Sequence, residues 1–150
     1  MGSHPRQHLT LDAETVRALF AEGGWPCERI GPDTWRSHFR SKRASFPVFV
    51  KVGEGDGSGE GAAFVTFAII PYLKSPEDPA LAARLYARLL ELNHQLIFAK
   101  FSIDDDLDVV LSVEHPIAEI DRSEFADALD VLGFYADQHL DALRALLTPG

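Results

Sequence analysis

The residues of this chain that are best suited to binding chemistry lie between positions 35 and 51, where cations alternate with aromatic side chains. The cations are Arg36, His38, Arg40, Lys42, Arg43 and Lys51, and the aromatic residues are Trp35, Phe39, Phe46 and Phe49. Such a segment can bind single-stranded nucleic acid through phosphate contacts and base stacking. It can equally bind an acidic protein segment, or pair with acidic groups of its own chain.

The distribution of charge favours a protein partner over nucleic acid. The 150 residues carry a formal net charge of −9 at pH 7. Residues 104–150 hold 12 acidic and 2 basic side chains, whereas residues 1–103 hold 11 acidic and 12 basic side chains. Because an acidic surface repels phosphate groups, we expect neither a membrane surface nor nucleic acid as a direct partner. A nucleic-acid-associated accessory protein that uses the basic and aromatic strand 35–51 is the alternative.

Three alternating aspartates, Asp104, Asp106 and Asp108, have the spacing that begins a calcium-binding EF-hand loop. That loop also needs a glycine at its sixth position and a bidentate acid at its twelfth. Val109 and His115 occupy those positions. We therefore predict a solvated hairpin tip and no metal site.

The histidines and the one cysteine lack a spacing typical of metal binding or catalysis. His38, His94, His115 and His139 fall on separate predicted elements. Cys27 is the only cysteine, and we expect it to be a small buried hydrophobic residue. No signature of a nucleophile or a zinc protease occurs. We predict no catalytic residue, no cofactor and no enzyme; a small enzyme that gathers Cys27 and several histidines in one pocket is a further alternative.

A glycine-rich run at residues 53–61, with the sequence GEGDGSGEG, raises the question of phosphate binding. A P-loop ends in lysine followed by serine or threonine, and this run lacks that ending. Its three acidic side chains would also repel phosphate. We therefore predict a flexible loop between two strands.

Hydrophobic periodicity places these residues on nine predicted elements. Helices are predicted at residues 10–22, 79–98 and 121–147, and strands at residues 27–30, 35–40, 46–52, 62–72, 98–103 and 107–113. The order is α-β-β-β-β-α-β-β-α. In the second strand, a period of two directs Trp35 and Phe39 to one face, and Arg36 and Arg40 to the other.

A single domain accounts for this pattern. We expect residues 1–9 to form a disordered tail and residues 10–150 to form the domain. With 46% hydrophobic and 25% charged residues, the composition is typical of a soluble globular protein. The first residues lack the features of a signal peptide, and a lone cysteine agrees with a reducing compartment. These observations predict a cytoplasmic protein.

The helix predicted at residues 79–98 is apolar over more than half of its circumference. A helix of this kind needs two partners, and we expect a sheet on one side and a second subunit on the other. The predicted dimer surface comprises Leu85, Leu89, Leu92 and Leu96.

The second half of the chain contains four characteristic segments: LLELN at residues 89–93, FAKFSID at 98–104, VVLSVE at 109–114 and FYAD at 134–137. With these segments the chain resembles the YbjN domain family, which is related in fold to type III secretion chaperones. The resemblance covers residues 79–147, and before them the strands match in order more than in sequence. The family's motifs are structural and carry no catalytic residues.

The resemblance implies an α+β fold in which helices cover one face of a curved antiparallel sheet, with homodimers formed through the central helix and a neighbouring strand. Chaperones of this shape hold an extended partner segment against the sheet and its side grooves. We therefore predict a non-enzymatic, chaperone-like adaptor or regulator that binds a protein partner in the stress response. The predicted partner contacts are Trp35, Phe39, Arg40 and Phe49.

Overall fold

The computed structural model describes residues 12–53, 64–117 and 120–148. Within these ranges the elements follow the predicted order. The helices are α1 (Ala13–Glu22), α2 (Pro79–Gln95) and α3 (Arg122–Leu146), and the strands are β1 (Glu28–Arg29), β2 (Thr34–Arg40), β3 (Ser45–Gly53), β4 (Phe64–Lys74), β5 (Lys100–Ile103) and β6 (Asp108–Pro116). The predicted tail at residues 1–9 and most of the predicted loop at residues 53–61 lie outside the described residues.

Each helix begins at an aspartate whose side chain accepts a hydrogen bond from the first turn. The Asp12 carboxylate accepts from the Thr15 N–H at 2.8 Å, and the Asp121 carboxylate accepts from the Glu124 N–H at 2.8 Å. Asp78 caps α2 in the same way. Within the described ranges, none of these helices has the length and apolar character needed to cross a membrane.

The six strands form one antiparallel sheet in the order β1-β2-β3-β4-β6-β5. Its register places alternate residues of each strand on the same face. One row, buried under the helices, is formed by Trp35, Val50, Phe67 and Val113. The next row, on the opposite face, is formed by Arg36, Phe49, Ala68, Ser112 and Lys100. We call this opposite side the open face.

Aromatic contacts join α1 and α3 to the sheet. Phe125 of α3 packs edge-on against Phe20 of α1 and Phe67 of β4, with ring centroids 5.6 and 5.0 Å apart. Tyr72 of β4 donates a buried hydrogen bond of 2.6 Å to the Ala136 carbonyl of α3. Burial raises the pKa of the Tyr72 hydroxyl far above its usual value, so this group acts as a neutral donor. These contacts fix α3 on the sheet.

Gly133, in the middle of α3, lets Phe39 of β2 approach the helix closely. A Cβ atom at this position would lie 2.9 Å from Cε2 of Phe39. Because that distance is shorter than real Cβ contacts, a side chain at this position would force the Phe39 ring or the helix to shift. The close approach brings β2 and the preceding segment alongside α3.

Candidate functional site

The four predicted partner contacts lie on two opposite faces of the sheet. Trp35 and Phe39 point towards the helices, whereas Arg40 and Phe49 lie on the open face. Trp35 is only 2% exposed and belongs to the core, so we remove it from the predicted contacts. The four residues therefore do not form one surface.

The cations of β2 and the following turn are used partly inside the molecule. Arg36 pairs with Glu28 at 2.7 Å, on the open face. Arg43 reaches α3, where its guanidinium lies 3.3 Å from the Asp141 carboxylate and donates to the Asp137 carbonyl at 3.3 Å. Pairing with the chain's own acidic groups, one of the three interpretations of this segment, is thus found at Arg36 and Arg43.

The predicted dimer surface is corrected by the packing of α2. Leu85, Leu89 and Leu92 are buried within the single chain, and Leu96 is packed against the same core. Side chains on the core side of α2 cannot also contact a second subunit. The large apolar residue that α2 exposes is Leu90, at 70%.

A different apolar surface lies on the outer side of α3 and on the turn that follows α2. Phe134 of α3 is 64% exposed, and Ile97 and Phe98 of the turn are 77% and 46% exposed. Large apolar side chains exposed in a group are typical of interaction sites. We call this set the Phe134 surface.

Phe134 stands between two grooves of similar size. The first, of about 530 Å³, lies between α3 and the turn, and we call it the Phe98 groove; Ile97, Phe98, Asp127, Val131 and Tyr135 line it. The second, of about 540 Å³, lies between α3 and β2, and we call it the Trp25 groove; Trp25, Phe39, Leu129, Gly133 and Asp137 line it. Asp130 and Phe134 border both grooves, so they form the ridge that separates them.

The turn that carries Ile97 and Phe98 is held by contacts to α3. The Ile97 N–H donates to the Tyr135 hydroxyl at 3.2 Å. Phe98 has a φ of +74°, a left-handed conformation that favours glycine and costs a bulky residue about 1 kcal/mol or more. A half-exposed aromatic ring thus occupies a position where the backbone is strained, and glycine would adopt this conformation with less strain. Such strain points to a role for the ring itself.

His115 of β6 connects the sheet to the base of the Phe98 groove. Its Nε2 contacts the Glu124 carboxylate, and its Nδ1 lies 2.9 Å from the Pro116 carbonyl. The Phe98 ring meets the His115 ring edge-on, with centroids 5.9 Å apart. These contacts fix Phe98 and the start of α3 relative to each other.

Both grooves have an apolar floor and an acidic rim. Their charged lining residues are Glu124, Asp127, Asp130 and Asp137, and among the residues that the structure describes no lysine or arginine lines either groove. Carboxylates in an apolar setting create a negative potential at the surface. The site is therefore suited to binding apolar groups that carry positive charge nearby.

Sequence reasoning missed the Phe134 surface, although a signal for it exists. The buried face of α3 follows Phe125, Leu129, Leu132, Ala136, Leu140 and Leu143. Phe134 stands off that stripe, and an aromatic residue on the polar side of an amphipathic helix needs a reason. The sequence around Phe98 gives no comparable signal, because the turn that contains Phe98 is held by Tyr135 of α3, which is distant in the sequence.

Of the residues considered for metal binding or catalysis, three aspartates lie together in a turn, and the cysteine is partly buried. Among the described residues, Asp104, Asp106 and Asp108 are the one group of three or more potential ligands that lie close together. Asp104 accepts hydrogen bonds from the Asp106 and Asp108 N–H groups at 3.0 and 2.9 Å, so its carboxylate shapes the hairpin turn. Burial raises the pKa of the half-buried Cys27 thiol, which disfavours the reactive thiolate.

The sequence between residues 12 and 145 matches the family model YbjN, described as "Putative bacterial sensory transduction regulator". The chain belongs to the YbjN family. This match confirms the resemblance and extends it to the first half of the chain. The description of the family is that of a regulator. None of the curated proteins matches the chain.

Two solved structures share the YbjN fold with this chain. YbjN from E. coli, described as a "putative transcription regulator", is 13% identical, with a TM-score of 0.55 over 89% of this chain and 87% of that chain. The heterodimeric complex ExoU-SpcU from the type III secretion system of Pseudomonas aeruginosa contains a chain that is 20% identical, with a TM-score of 0.57 over 90% of this chain and 99% of that chain. The predicted α+β, secretion-chaperone-like fold is confirmed.

Proposed function

We propose that this YbjN-family chain is an adaptor that binds a protein partner, and that the Phe134 surface is the docking site. The observation that carries the proposal is the exposure of Phe134, Ile97 and Phe98 beside two preformed grooves. Burying apolar side chains against a partner is favourable by about 25 cal/mol per Å² of apolar surface. The similarity to a chaperone fold supports the proposal, because ExoU-SpcU is itself a complex of two proteins.

The ordered turn adds to this argument. The Tyr135 hydroxyl accepts from the Ile97 N–H, and His115 packs against Phe98, so the backbone of the turn at Ile97 and the Phe98 ring are held in place before binding. A preorganised surface loses less conformational entropy when a partner binds. The grooves thus have the properties of a docking site.

Photo-crosslinking from position 134 tests the proposal. We would replace Phe134 with p-benzoylphenylalanine, irradiate the protein in a native lysate and identify crosslinked proteins by mass spectrometry. The control places the same group at Leu107, which is exposed at the turn between β5 and β6. We expect a specific partner from position 134 that is absent from position 107, and lost when Ile97→Ser is added. Identical products from both positions would contradict the proposal.

A homodimer is a second part of the proposal, with a contact surface other than the leucines predicted from the sequence. Leu90 is exposed beside a groove of about 290 Å³ between α2 and β5, lined also by Tyr86, Asn93 and Ile103. We propose that Leu90 and this groove replace the buried leucines as the dimer contact. The cytoplasm and the stress response, which the composition and the family resemblance suggest, remain the proposed setting.

A nucleic-acid-associated function is the competing proposal, and the description of E. coli YbjN favours it. Its surface would be the open face, where Arg36, His38 and Arg40 line one shallow depression. Binding of labelled single-stranded DNA that weakens steeply with salt and is lost in Arg40→Glu would support this function. The acidic Phe134 surface would then have no part in binding.

A further inference from the structure

Asp127, Asp130 and Asp137 lie around Phe134, beside the two apolar grooves. Five other acidic side chains of the described residues pair with arginine or lysine; these pairs are Glu28–Arg36, Asp141–Arg43, Glu91–Arg88, Glu114–Lys100 and Glu22–Arg122. Asp127, Asp130 and Asp137 form no such pair with any described lysine or arginine. Asp127 and Asp130 therefore have no cationic side chain of the described residues as an ion-pair partner, whereas the Arg43 guanidinium lies beside Asp137, where it donates to the main-chain carbonyl at 3.3 Å.

The position of these carboxylates relative to the apolar side chains restricts the charge that a partner can carry beside its apolar groups. Asp130 lies on the ridge with Phe134, Asp127 lies on the side of the Phe98 groove, and Asp137 on the side of the Trp25 groove. An apolar side chain that enters either groove thus brings its neighbours close to a carboxylate. Acidic segments, nucleic acid and anionic lipids would be repelled there.

We propose that the occupant of the Phe134 surface is a basic amphipathic segment of another protein. Bulky apolar side chains of this segment enter the Phe98 and Trp25 grooves, one on each side of Phe134. Its lysine or arginine side chains contact Asp127, Asp130 and Asp137. This inference rests on the proposed function and adds the chemical class of the partner.

The two kinds of contact have different roles. Exposed ion pairs contribute little to affinity, whereas buried aromatic residues at the centre of an interface contribute much. We therefore assign most of the affinity to Phe134 and its grooves. The carboxylates select the partner and accelerate its association, since complementary charges steer encounter.

Calorimetric titration with two designed peptides tests the inference. Both are about 16 residues long and carry leucine and phenylalanine on one helical face. One has lysine at all other positions, and the other has glutamate. We expect the lysine peptide to bind at least about tenfold more tightly than the glutamate peptide. We expect Phe134→Ser to weaken its binding at least about tenfold.

Charge variants separate a specific rim contact from general attraction to an acidic protein. Asp127→Asn with Asp130→Asn should weaken binding of the lysine peptide about threefold and reduce its dependence on salt. The matched control, Asp105→Asn with Asp106→Asn, removes two charges from the distant turn between β5 and β6, and should leave the affinity unchanged. An equal loss in the control pair would overturn the inference.

Further outcomes distinguish this inference from the proposed function. If crosslinking from position 134 captures a partner but the glutamate peptide binds as well as the lysine peptide, the basic segment is wrong and the docking site stands. If neither crosslinking nor peptide binding depends on Phe134, both proposals fail. Self-association of the chain that Phe134→Ser abolishes would identify a second copy as the occupant and also overturn the inference.

Discussion

Gly133 shows how a single residue sets the distance between α3 and the sheet. Gly133→Ala would improve helix propensity by about 1 kcal/mol. The new methyl group would also press on the Phe39 ring, and overpacking costs about 1–3 kcal/mol. We expect a net loss of about 1 kcal/mol in the free energy of unfolding, measured by urea denaturation. Adding Phe39→Leu should recover part of the loss, and a more stable single variant would contradict this account.

His139 couples the stability of the fold to pH. Burial, and then the nearby Arg88 guanidinium, lower the pKa of this imidazole. Its ring stacks on Tyr135 and meets Phe101 edge-on, with centroids 6.0 and 6.2 Å away. The imidazole of His139 therefore binds a proton more readily in the unfolded chain than in the folded protein. For this reason the contribution of His139 to stability is lost as pH falls below about 6.5.

The measurement for His139 compares urea denaturation at pH 7.5 and pH 5.5. We expect His139→Gln to lose less stability on acidification than the protein without the substitution, because it lacks the imidazole that the fold keeps neutral. His94→Gln, which replaces an exposed histidine at the end of α2, is the control. An identical pH dependence for both variants would show that His139 does not cause the effect.

At the scale of elements, the side chain of Asn93 in α2 covers part of the free edge of strand β5. Its side-chain amide donates to the Phe101 carbonyl at 2.9 Å and accepts from the Phe101 N–H at 2.7 Å. The side chain thus takes the place of a further strand beside β5. Exposed strand edges promote aggregation, and such coverage protects against it.

Asn93→Ala should remove this protection. We expect the free energy of unfolding to fall by about 1–3 kcal/mol, because two half-buried backbone groups lose their partner. Hydrogen exchange of the Phe101 amide should accelerate by more than that of the central strand β4. Gln95→Ala, at the exposed end of the same helix, is the control and should change neither quantity. Unchanged exchange at Phe101 would contradict the role of Asn93.

The elements were largely predictable from the sequence, whereas the surfaces they present were not. Alternation in β2 is a local signal, and this prediction is confirmed. The start of α3 near residue 121 is also a local signal, since the Asp121 side chain caps the helix. The predicted end of α2 at residue 98 is wrong, since the helix ends at Gln95. Tyr135, 38 residues further along the chain, accepts from the Ile97 N–H in the turn, and no local pattern encodes such a contact.

Because a local pattern does not encode long-range contacts, the sequence also led to a dimer surface that had to be corrected. The periodicity of α2 identified Leu85, Leu89 and Leu92 as one face, which the structure confirms as a buried face. Periodicity states which side chains share a face, but it does not state whether the core or another subunit covers it. Because these leucines are buried within a single chain, the core of that chain covers this face.

At the scale of the whole molecule, the excess negative charge found in the last third of the sequence is spread over the turn at Asp104–Asp108 and the outer side of α3. The cations of β2 lie mainly on the open face, on the other side of the sheet. Arg43 is the described cation of this segment that pairs with α3. The outer side of α3 is therefore acidic, and the part of the open face formed by β2 is basic.

The proposed dimer is a prediction at this same scale. Light scattering at micromolar concentration should give twice the mass of one chain, and Leu90→Asp should give the mass of a single chain. The fold should be retained, because Leu90 is exposed and makes no core contact. Ala83→Asp, an exposed position near the start of α2, is the control. A single-chain mass for the unchanged protein would end the dimer proposal.

The placement of the two tryptophans has a practical consequence. Trp35 lies in the core, whereas Trp25 lines a groove beside Phe39, with ring centroids 6.0 Å apart. The indole emission of Trp25 should therefore shift when a partner fills that groove, while that of Trp35 stays constant. Since the chain has only these two tryptophans, a Trp35→Phe variant would carry a single built-in optical reporter of occupancy. Ligands could then be screened without attaching any dye.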